Sequence, residues 1–169
     1  MRISKERKQN LENAYQYYLL HPALLRMKNI PVHLGSNCYL HTFRVTKEIM
    51  KKAVKSRRNL DLENLLLAGI FHDYYLYNWR EHRHTHHATM HPFRAIENAR
   101  RDFNLPDEAA KMIRSHMWPF NFNLFPKGKE ARILCNVDTW VALKECLVSK
   151  KVKKKNEEKY LRYISSLFD

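Results

Sequence analysis

Apolar residues recur every three or four positions along most of the chain, which is the spacing of amphipathic helices. A first helix is predicted from Ser4, a typical N-cap residue, to about Leu20. A second helix is predicted to follow Ser36, again as the cap, and to run to about Val54. Its apolar positions include Leu40, Phe43, Val45 and Ile49. Both segments therefore predict helices with one buried face.

Prolines and polar stretches divide the later part of the chain. Asp61 is predicted to cap a third helix, which continues into the segment GIFHDYYLYNW at 69–79. The histidine-rich segment REHRHTHHATM then predicts a loop. Pro92 is placed to be the first residue of a fourth helix with His91 as its cap, and this helix is expected to end near Phe103.

Three further helices complete the prediction. One begins at NLPDEA and ends near Met117, the next spans about Glu130 to Val148, and the last precedes the C-terminus. Only three glycines occur, too few for the repeated tight turns of a sandwich or barrel. We therefore expect an all-α, compact multi-helix bundle. The expected single domain covers residues 1–169, with a core at about 36–146 and added helices at 4–20 and 156–168.

Composition and charge narrow the class of protein. Three cysteines without a CxxC motif fit reduced thiols, and the chain shows neither a signal peptide nor a long apolar run, so a cytoplasmic protein without a membrane partner is expected. The net charge of +14 favours anionic partners such as nucleotides or nucleic acid. Six of the lysines lie at 150–159, where a charge run is usually a solvated helix end or loop rather than a binding patch.

Polar residues that interrupt apolar helices indicate the candidate chemistry. His72 and Asp73 interrupt one apolar segment, and Asp138 is a lone carboxylate in ILCNVDTWVAL. A buried carboxylate is costly unless hydrogen bonds or a cation compensate it, so either an ion pair or a metal is expected beside each. Further histidines fall at the predicted helix ends, namely His41, His91 and His116. Single histidines are usually ordinary core or surface residues, but this recurrence favours a metal site.

The order H…HD…H…H…D resembles that of the HD-domain superfamily of metal-dependent phosphohydrolases, in particular its small single-domain bacterial members. The quoted contexts are similar to the family motifs: HTFRV, LLLAGIFHDYYLY, HPFRAIENA, MIRSHMW and NVDTWVALKE. The resemblance covers about residues 36–146. It implies a helical bundle with a metal site among the central helices, and an enzyme that hydrolyses a phosphate ester or anhydride of a nucleotide or similar small anionic substrate through a metal-activated hydroxide.

The resemblance also implies the ligands. One metal would be held by His41, His72, Asp73 and Asp138, and a second by Asp73, His91 and His116. Asp73 would then bridge two divalent transition-metal ions, and this set of nitrogen and oxygen ligands admits Fe, Mn, Zn, Co or Ni.

Some residues near these motifs have more than one candidate role. Arg44 is a candidate catalytic residue, as a phosphate clamp or as a hydrogen-bond donor to a ligand carboxylate, but it is also spaced for a salt bridge to Glu48. His87 is a candidate proton donor, or else part of a solvated loop. Glu145 is expected to be structural. Tyr74–Leu76 stand where many relatives carry Ile-Gly-Lys, so the lysine that assists catalysis in some of them is missing.

Two functions of other classes remain open at this point. A related helical fold uses the same ligand order to hold two irons in an oxygenase. A basic nucleic-acid-binding protein with a structural metal would also carry a positive charge, although no recognised nucleic-acid motif is present.

Overall fold

The computed structural model describes residues 3–32, 36–81, 86–147 and 162, and within these residues the regular structure is helical, with one isolated β-bridge. The predicted all-α class is confirmed. The helices are α1 (Lys5–Leu20), α2 (Pro22–Leu25), α3 (Cys38–Lys55), α4 (Leu62–Phe71), α5 (His87–Phe103), α6 (Asp107–Arg114) and α7 (Lys129–Leu147), and a 3-10 turn (Arg26–Asn29) follows α2.

Helix α4 forms the centre of the bundle. Most of its side chains are buried, and it packs against α1, α3, α5, α6 and α7. Gly69 allows the closest of these contacts, because a Cβ atom there would lie 3.0 Å from Thr46 Oγ1 and 3.3 Å from Thr46 Cα in α3. His41 precedes Thr46 in α3, whereas His72 follows Gly69 at the end of α4. Because His41 also lies beside His72, α3 and α4 run antiparallel and place these two histidines at the same end of the bundle.

The helix caps agree with the sequence at two of the four predicted places. The side chains of Ser4 and Asp61 accept hydrogen bonds from the backbone N–H groups of the first turns of α1 and α4, as predicted. The cap of α3 is Asn37 rather than Ser36, because the Asn37 side chain accepts from the Leu40 N–H. Helix α3 therefore begins about one residue later than predicted, with His41 in its first turns.

The predicted start of α5 at Pro92 is wrong. The helix begins at His87, so Pro92 lies inside it and His91 is a helical residue rather than a cap. The His86 carbonyl accepts from the N–H groups of Thr89 and Met90, and also from the Thr89 hydroxyl at 2.8 Å. These bonds stabilise an additional first turn. Proline so near the start of a helix removes only one hydrogen bond, and the helix tolerates it.

The last elements follow the prediction more closely. Helix α6 is capped by Pro106 and ends at Arg114, and α7 agrees with the predicted range to within a residue. The predicted helix at 156–168 lies, apart from Arg162, outside the described residues, as do the lysines at 150–159 and two histidines of the predicted loop, His82 and His84. Among the described helices, none combines the length and the apolar character that a membrane crossing requires.

Candidate metal centre

Five helices or helix ends converge on one buried cluster of histidines and aspartates. His41 comes from the first turns of α3, His72 and Asp73 end α4, and the other members come from α5, the turn after α6, and the middle of α7. The six residues predicted as metal ligands are all in it, and all are buried: His41, His72, Asp73, His91, His116 and Asp138.

The carboxylate of Asp73 lies between two pairs of histidines. Its Oδ2 is 3.8 Å from His41 Nε2 and 3.7 Å from His72 Nε2, which we call the first pair. Its Oδ1 is 3.2 Å from His91 Nε2 and 3.8 Å from His116 Nε2, the second pair. Each oxygen of one carboxylate thus faces a different pair of imidazoles.

Asp138 adds a second carboxylate on the side of the first pair. Its Oδ1 is 2.9 Å from His41 Nε2 and 3.6 Å from His72 Nε2. The shorter distance is a hydrogen bond and the longer is not. Asp138 therefore lies beside the same two imidazole nitrogens that face Asp73 Oδ2.

The other ring nitrogen of each histidine is held by an acceptor. Nδ1 of His72 lies 2.8 Å from the Gly69 carbonyl, and Nδ1 of His116 lies 2.7 Å from the Ile113 carbonyl. His91 and His41 are held in the same way, by the His87 carbonyl at 3.0 Å and by Glu145 Oε2 at 2.9 Å. Since carbonyls and carboxylates only accept, each Nδ1 donates its proton, and a ring that carries no second proton presents its Nε2 lone pair to the centre.

One of these nitrogens has no hydrogen-bond partner among the described residues: His72 Nε2 is buried and unpaired. Nε2 of His91 lies 3.0 Å from Nε2 of His116 and 3.2 Å from Asp73 Oδ1. Metal–nitrogen bonds of about 2.1 Å at angles of roughly 90–110° place neighbouring ligand atoms about 3.0–3.4 Å apart, close to the spacings observed. Buried, convergent lone pairs at these distances fit a metal ion, and the cluster can hold one.

Burial and hydrogen bonding set the ionisation on the side of the first pair. Burial lowers the pKa of His41, but its hydrogen bonds to Asp138 and Glu145 raise it by more, so the pKa of His41 lies well above 6.5. Burial raises the pKa of Asp138, but the hydrogen bonds and charges of His41 and His72 together outweigh it, and the net shift is downward. In the absence of a metal, a proton on His41 therefore balances the carboxylate charge.

Burial acts in opposite directions on the pKa values of Asp73 and His116. Burial raises the pKa of Asp73, but the charge of His72 and the hydrogen bond from His91 lower it by more, and it lies well below 3.8. Burial, followed by the charge of His91, lowers the pKa of His116 to about 3. Asp73 is therefore ionised and His116 neutral at physiological pH, which are the forms that bind metals.

Glu145 has a role that the sequence did not indicate. It was expected to be structural, and the structure shows its contacts: its two oxygens bind His41 Nδ1 at 2.9 Å and Arg44 Nη1 at 2.8 Å. Arg44 is therefore not paired with Glu48, which binds Lys51 instead. Nor does Arg44 bind a predicted ligand carboxylate. Glu145 lies seven residues after Asp138 on α7. This two-turn spacing puts both carboxylates on one side of the helix, and it is the feature of the sequence that could have indicated the position of Glu145 beside the cluster.

His87 lies at the start of α5 and not in a solvated loop. Its ring stacks between His91, at a centroid distance of 4.7 Å, and Trp79, at 5.4 Å. Its Nδ1 shares a hydrogen bond of 2.9 Å with the Tyr77 hydroxyl. The residue is thus fixed beside a candidate ligand, and its role as a proton donor remains a prediction.

A cavity of about 300 Å³ opens on the cluster. His41, Asp73 and Asp138 lie at its inner end, and the His87 ring lines its wall. Aromatic residues make up much of the remaining wall: Tyr75, Trp79, Trp118 and Phe120. The cavity gives a small molecule access to the cluster.

Known proteins do not decide what this site is: no protein-family profile, no curated protein and no solved structure matches the chain.

Proposed function

We propose that the chain is a metal-dependent phosphohydrolase of the HD type, which hydrolyses a phosphate ester of a nucleotide or similar small anionic molecule. The observation that carries this proposal is the position of Asp73, with each carboxylate oxygen facing a different pair of histidines. A single carboxylate placed in this way suits two neighbouring cations. The resemblance of the motif order to the HD superfamily supports the same assignment.

The ligands divide into two sets that share Asp73. The first pair of histidines, with Asp73 Oδ2 and Asp138, would hold one divalent transition-metal ion, and the second pair, with Asp73 Oδ1, would hold another. When bound, such ions lower the pKa of water and neutralise phosphoryl oxygens as charge develops, which is the chemistry that phosphate hydrolysis needs. The mixed nitrogen and oxygen ligands suit Fe, Mn, Zn, Co or Ni.

The protein's own groups orient this centre. Each Nδ1–H donates to a fixed acceptor, so the rings cannot turn their Nε2 atoms away. Arg44 neutralises Glu145, and this keeps the acceptor of His41 ionised in a buried position. His87, on the cavity wall, would give a proton to the departing alcohol.

A phosphate-release screen tests the proposal. The purified protein would be loaded separately with Mn²⁺, Fe²⁺, Co²⁺, Ni²⁺ or Zn²⁺ and incubated with a panel of nucleotides and other phosphate esters. Release of phosphate is expected with at least one metal, and His116→Ala should lower it by at least about 100-fold. The matched control is His86→Ala, because His86 is an exposed histidine whose side chain makes no cap hydrogen bond.

Two results would replace the proposal with a different one. Oxygen uptake with a polyol, without phosphate release, would assign the centre to oxygenase chemistry. Salt-sensitive RNA binding by a protein that releases no phosphate would assign the chain to nucleic-acid binding.

A further inference from the structure

The outer part of the cavity is aromatic and open to solvent. Trp118 and Phe120 lie in the turn region after α6, and we call these two residues the aromatic rim. They line the same cavity as Asp73 and Asp138, yet their side chains are 38% and 73% exposed. Exposed aromatic rings at the mouth of a cavity offer an apolar surface that a ligand can cover. The rim is therefore placed to contact whatever part of a substrate extends outward from the cluster.

The same cavity has no basic side chain in its described lining. The net charge of the chain is +14, but none of the described lining residues is Lys or Arg. Arg44, three residues after His41, is bound to Glu145. Basic side chains gather instead around a separate cavity of about 250 Å³ between α1 and α3, which lacks the candidate ligands: Lys8, Lys47, Lys51 and Lys55.

These two features restrict the charge of a substrate. A phosphate at the inner end of the cavity would meet the metal centre, which can neutralise it. A second or third phosphate would extend between aromatic walls, where none of the described lining residues is Lys or Arg and desolvation of the charge is costly. A flat apolar group would instead gain contact area and favourable ring geometry against the same walls.

We propose that the substrate is a phosphate monoester whose alcohol part carries a flat aromatic ring, that this ring lies on the aromatic rim, and that polyphosphates are excluded. The proposal rests on the proposed function for the phosphate end alone. In the reaction, a water oxygen forms a bond to phosphorus, the ester P–O bond breaks, and the alcohol leaves with one proton, so that the products are ROH and inorganic phosphate.

Binding of phosphonates tests this without requiring turnover. Benzylphosphonate and methylphosphonate carry the same acidic group but differ in the aromatic ring. By titration calorimetry of the metal-loaded protein, benzylphosphonate should bind at least about 10-fold more tightly, because one well-placed aromatic stack is enough for that ratio. Pyrophosphate should bind more weakly than benzylphosphonate, although it carries more charge.

Variants of the rim locate the contact. Phe120→Ala should reduce the preference for benzylphosphonate over methylphosphonate to about 2-fold or less, because it removes one of the two rim rings. The variant is expected to fold normally, since Phe120 is exposed. The control is Phe122→Ala, which removes a phenylalanine of similar exposure, 75%, that does not line the cavity. The control should keep the full preference.

Hydrolysis provides a second readout. Benzyl phosphate and methyl phosphate release alcohols of similar acidity, so a difference in KM reports binding of the ring rather than intrinsic reactivity. A preference for the benzyl ester that disappears in Phe120→Ala supports the inference. Equal binding of the two phosphonates, or a preference that survives in Phe120→Ala, overturns it even if phosphate is released. If benzylphosphonate binds tightly but no ester releases phosphate, the result supports the aromatic site and contradicts the proposed phosphohydrolase activity.

Discussion

Each of the clustered histidines donates from Nδ1, and the group that accepts differs in its chemistry. Three rings donate to backbone carbonyls, whereas His41 donates to the carboxylate of Glu145. A backbone carbonyl cannot be removed by substitution, but a carboxylate can. Glu145 therefore offers a direct test of how the orientation of one ligand affects the centre.

Substitution of Glu145 by Gln should weaken metal binding. The amide keeps the size of the side chain but removes the charge that polarises His41 and pairs with Arg44. We expect an affinity about 10-fold to 100-fold lower for one ion, with the other little changed. Titration with a competing chelator measures both affinities. The control is Glu48→Gln, an exposed partner of Lys51, and an equal loss in both variants would contradict the assignment.

The metal-free protein should lose stability as the pH rises from 6.5 to 9. The pKa values of His41 and His72 are raised in the folded state, so their stabilising contribution is complete below 6.5 and is lost as the pH rises through the raised values. The lowered pKa of His116 acts in the opposite sense, but only below 6.5, and the raised pKa of Cys38 acts only above 9.

Denaturant unfolding of the chelated protein across this pH range measures the effect. The slope should be negative and at most about 1.4 kcal/mol per pH unit for each proton involved. The metal-loaded protein should lack this slope, because its imidazoles are already deprotonated. A stability that stays flat or rises between pH 6.5 and 9 in the chelated protein would show that protonated histidines do not balance the buried carboxylates.

At the residue scale, the sequence identified what is locally unusual. Asp73 and Asp138 were recognisable because a carboxylate in an apolar helix needs a partner. The partner of Arg44 was not recognisable from the sequence, because Glu145 lies 101 residues away and only the packing of α3 on α7 brings the two together. Local spacing favoured Glu48, and that alternative is wrong.

At the scale of the elements, the first turn of α3 determines where His41 lies. The Asn37 side chain caps this turn, whereas Ser36 Oγ makes a long contact of 3.4 Å with Arg44. Asn37→Ala should therefore lower the free energy of unfolding by about 1 kcal/mol, and Ser36→Ala by clearly less. Denaturant unfolding of the metal-loaded variants distinguishes the two. Equal effects would mean that the side chain of Asn37 is not the effective cap.

The start of α5 shows how one element can mislead. Proline is common at the first position of a helix, so Pro92 favoured a start five residues too late. The additional turn depends on hydrogen bonds to the His86 carbonyl, and no pattern in the sequence predicts these bonds. The wrong start also concealed a hydrogen bond. The His87 carbonyl can accept from His91 Nδ1 only if His87 belongs to the same helix.

For the whole molecule, a bound metal should contribute to stability, because its ligands come from separate helices that unfolding would disperse. Removal of the metal should lower Tm by about 5–10 °C relative to protein saturated at about 100 times Kd. Differential scanning calorimetry with and without chelator measures the shift. Asp107→Asn should keep this shift, since Asp107 is an exposed partner of Arg100. An unchanged Tm after complete metal removal would contradict a metal that joins the helices.

The distribution of charge is a property that only the folded molecule reveals. The surplus of Lys and Arg predicted an anionic partner, but composition does not say which surface carries the surplus. Among the described residues, no Lys or Arg lines the cavity that opens on Asp73, whereas four lysines line the cavity between α1 and α3. The all-helical class followed from periodicity and scarce glycine, whereas the separation of charge from the site required the packing of the helices.

The most direct test of the account is the number of metal ions per chain in the wild type and in Asp73→Asn. The amide keeps the shape of the side chain but removes the anion that faces both pairs of histidines. Elemental analysis after metal loading and gel filtration should give about two ions for the wild type and at most about one for the variant, with helical content unchanged by circular dichroism. A variant that retains two ions, or a wild type that binds none, would contradict the claim that Asp73 joins two metal sites.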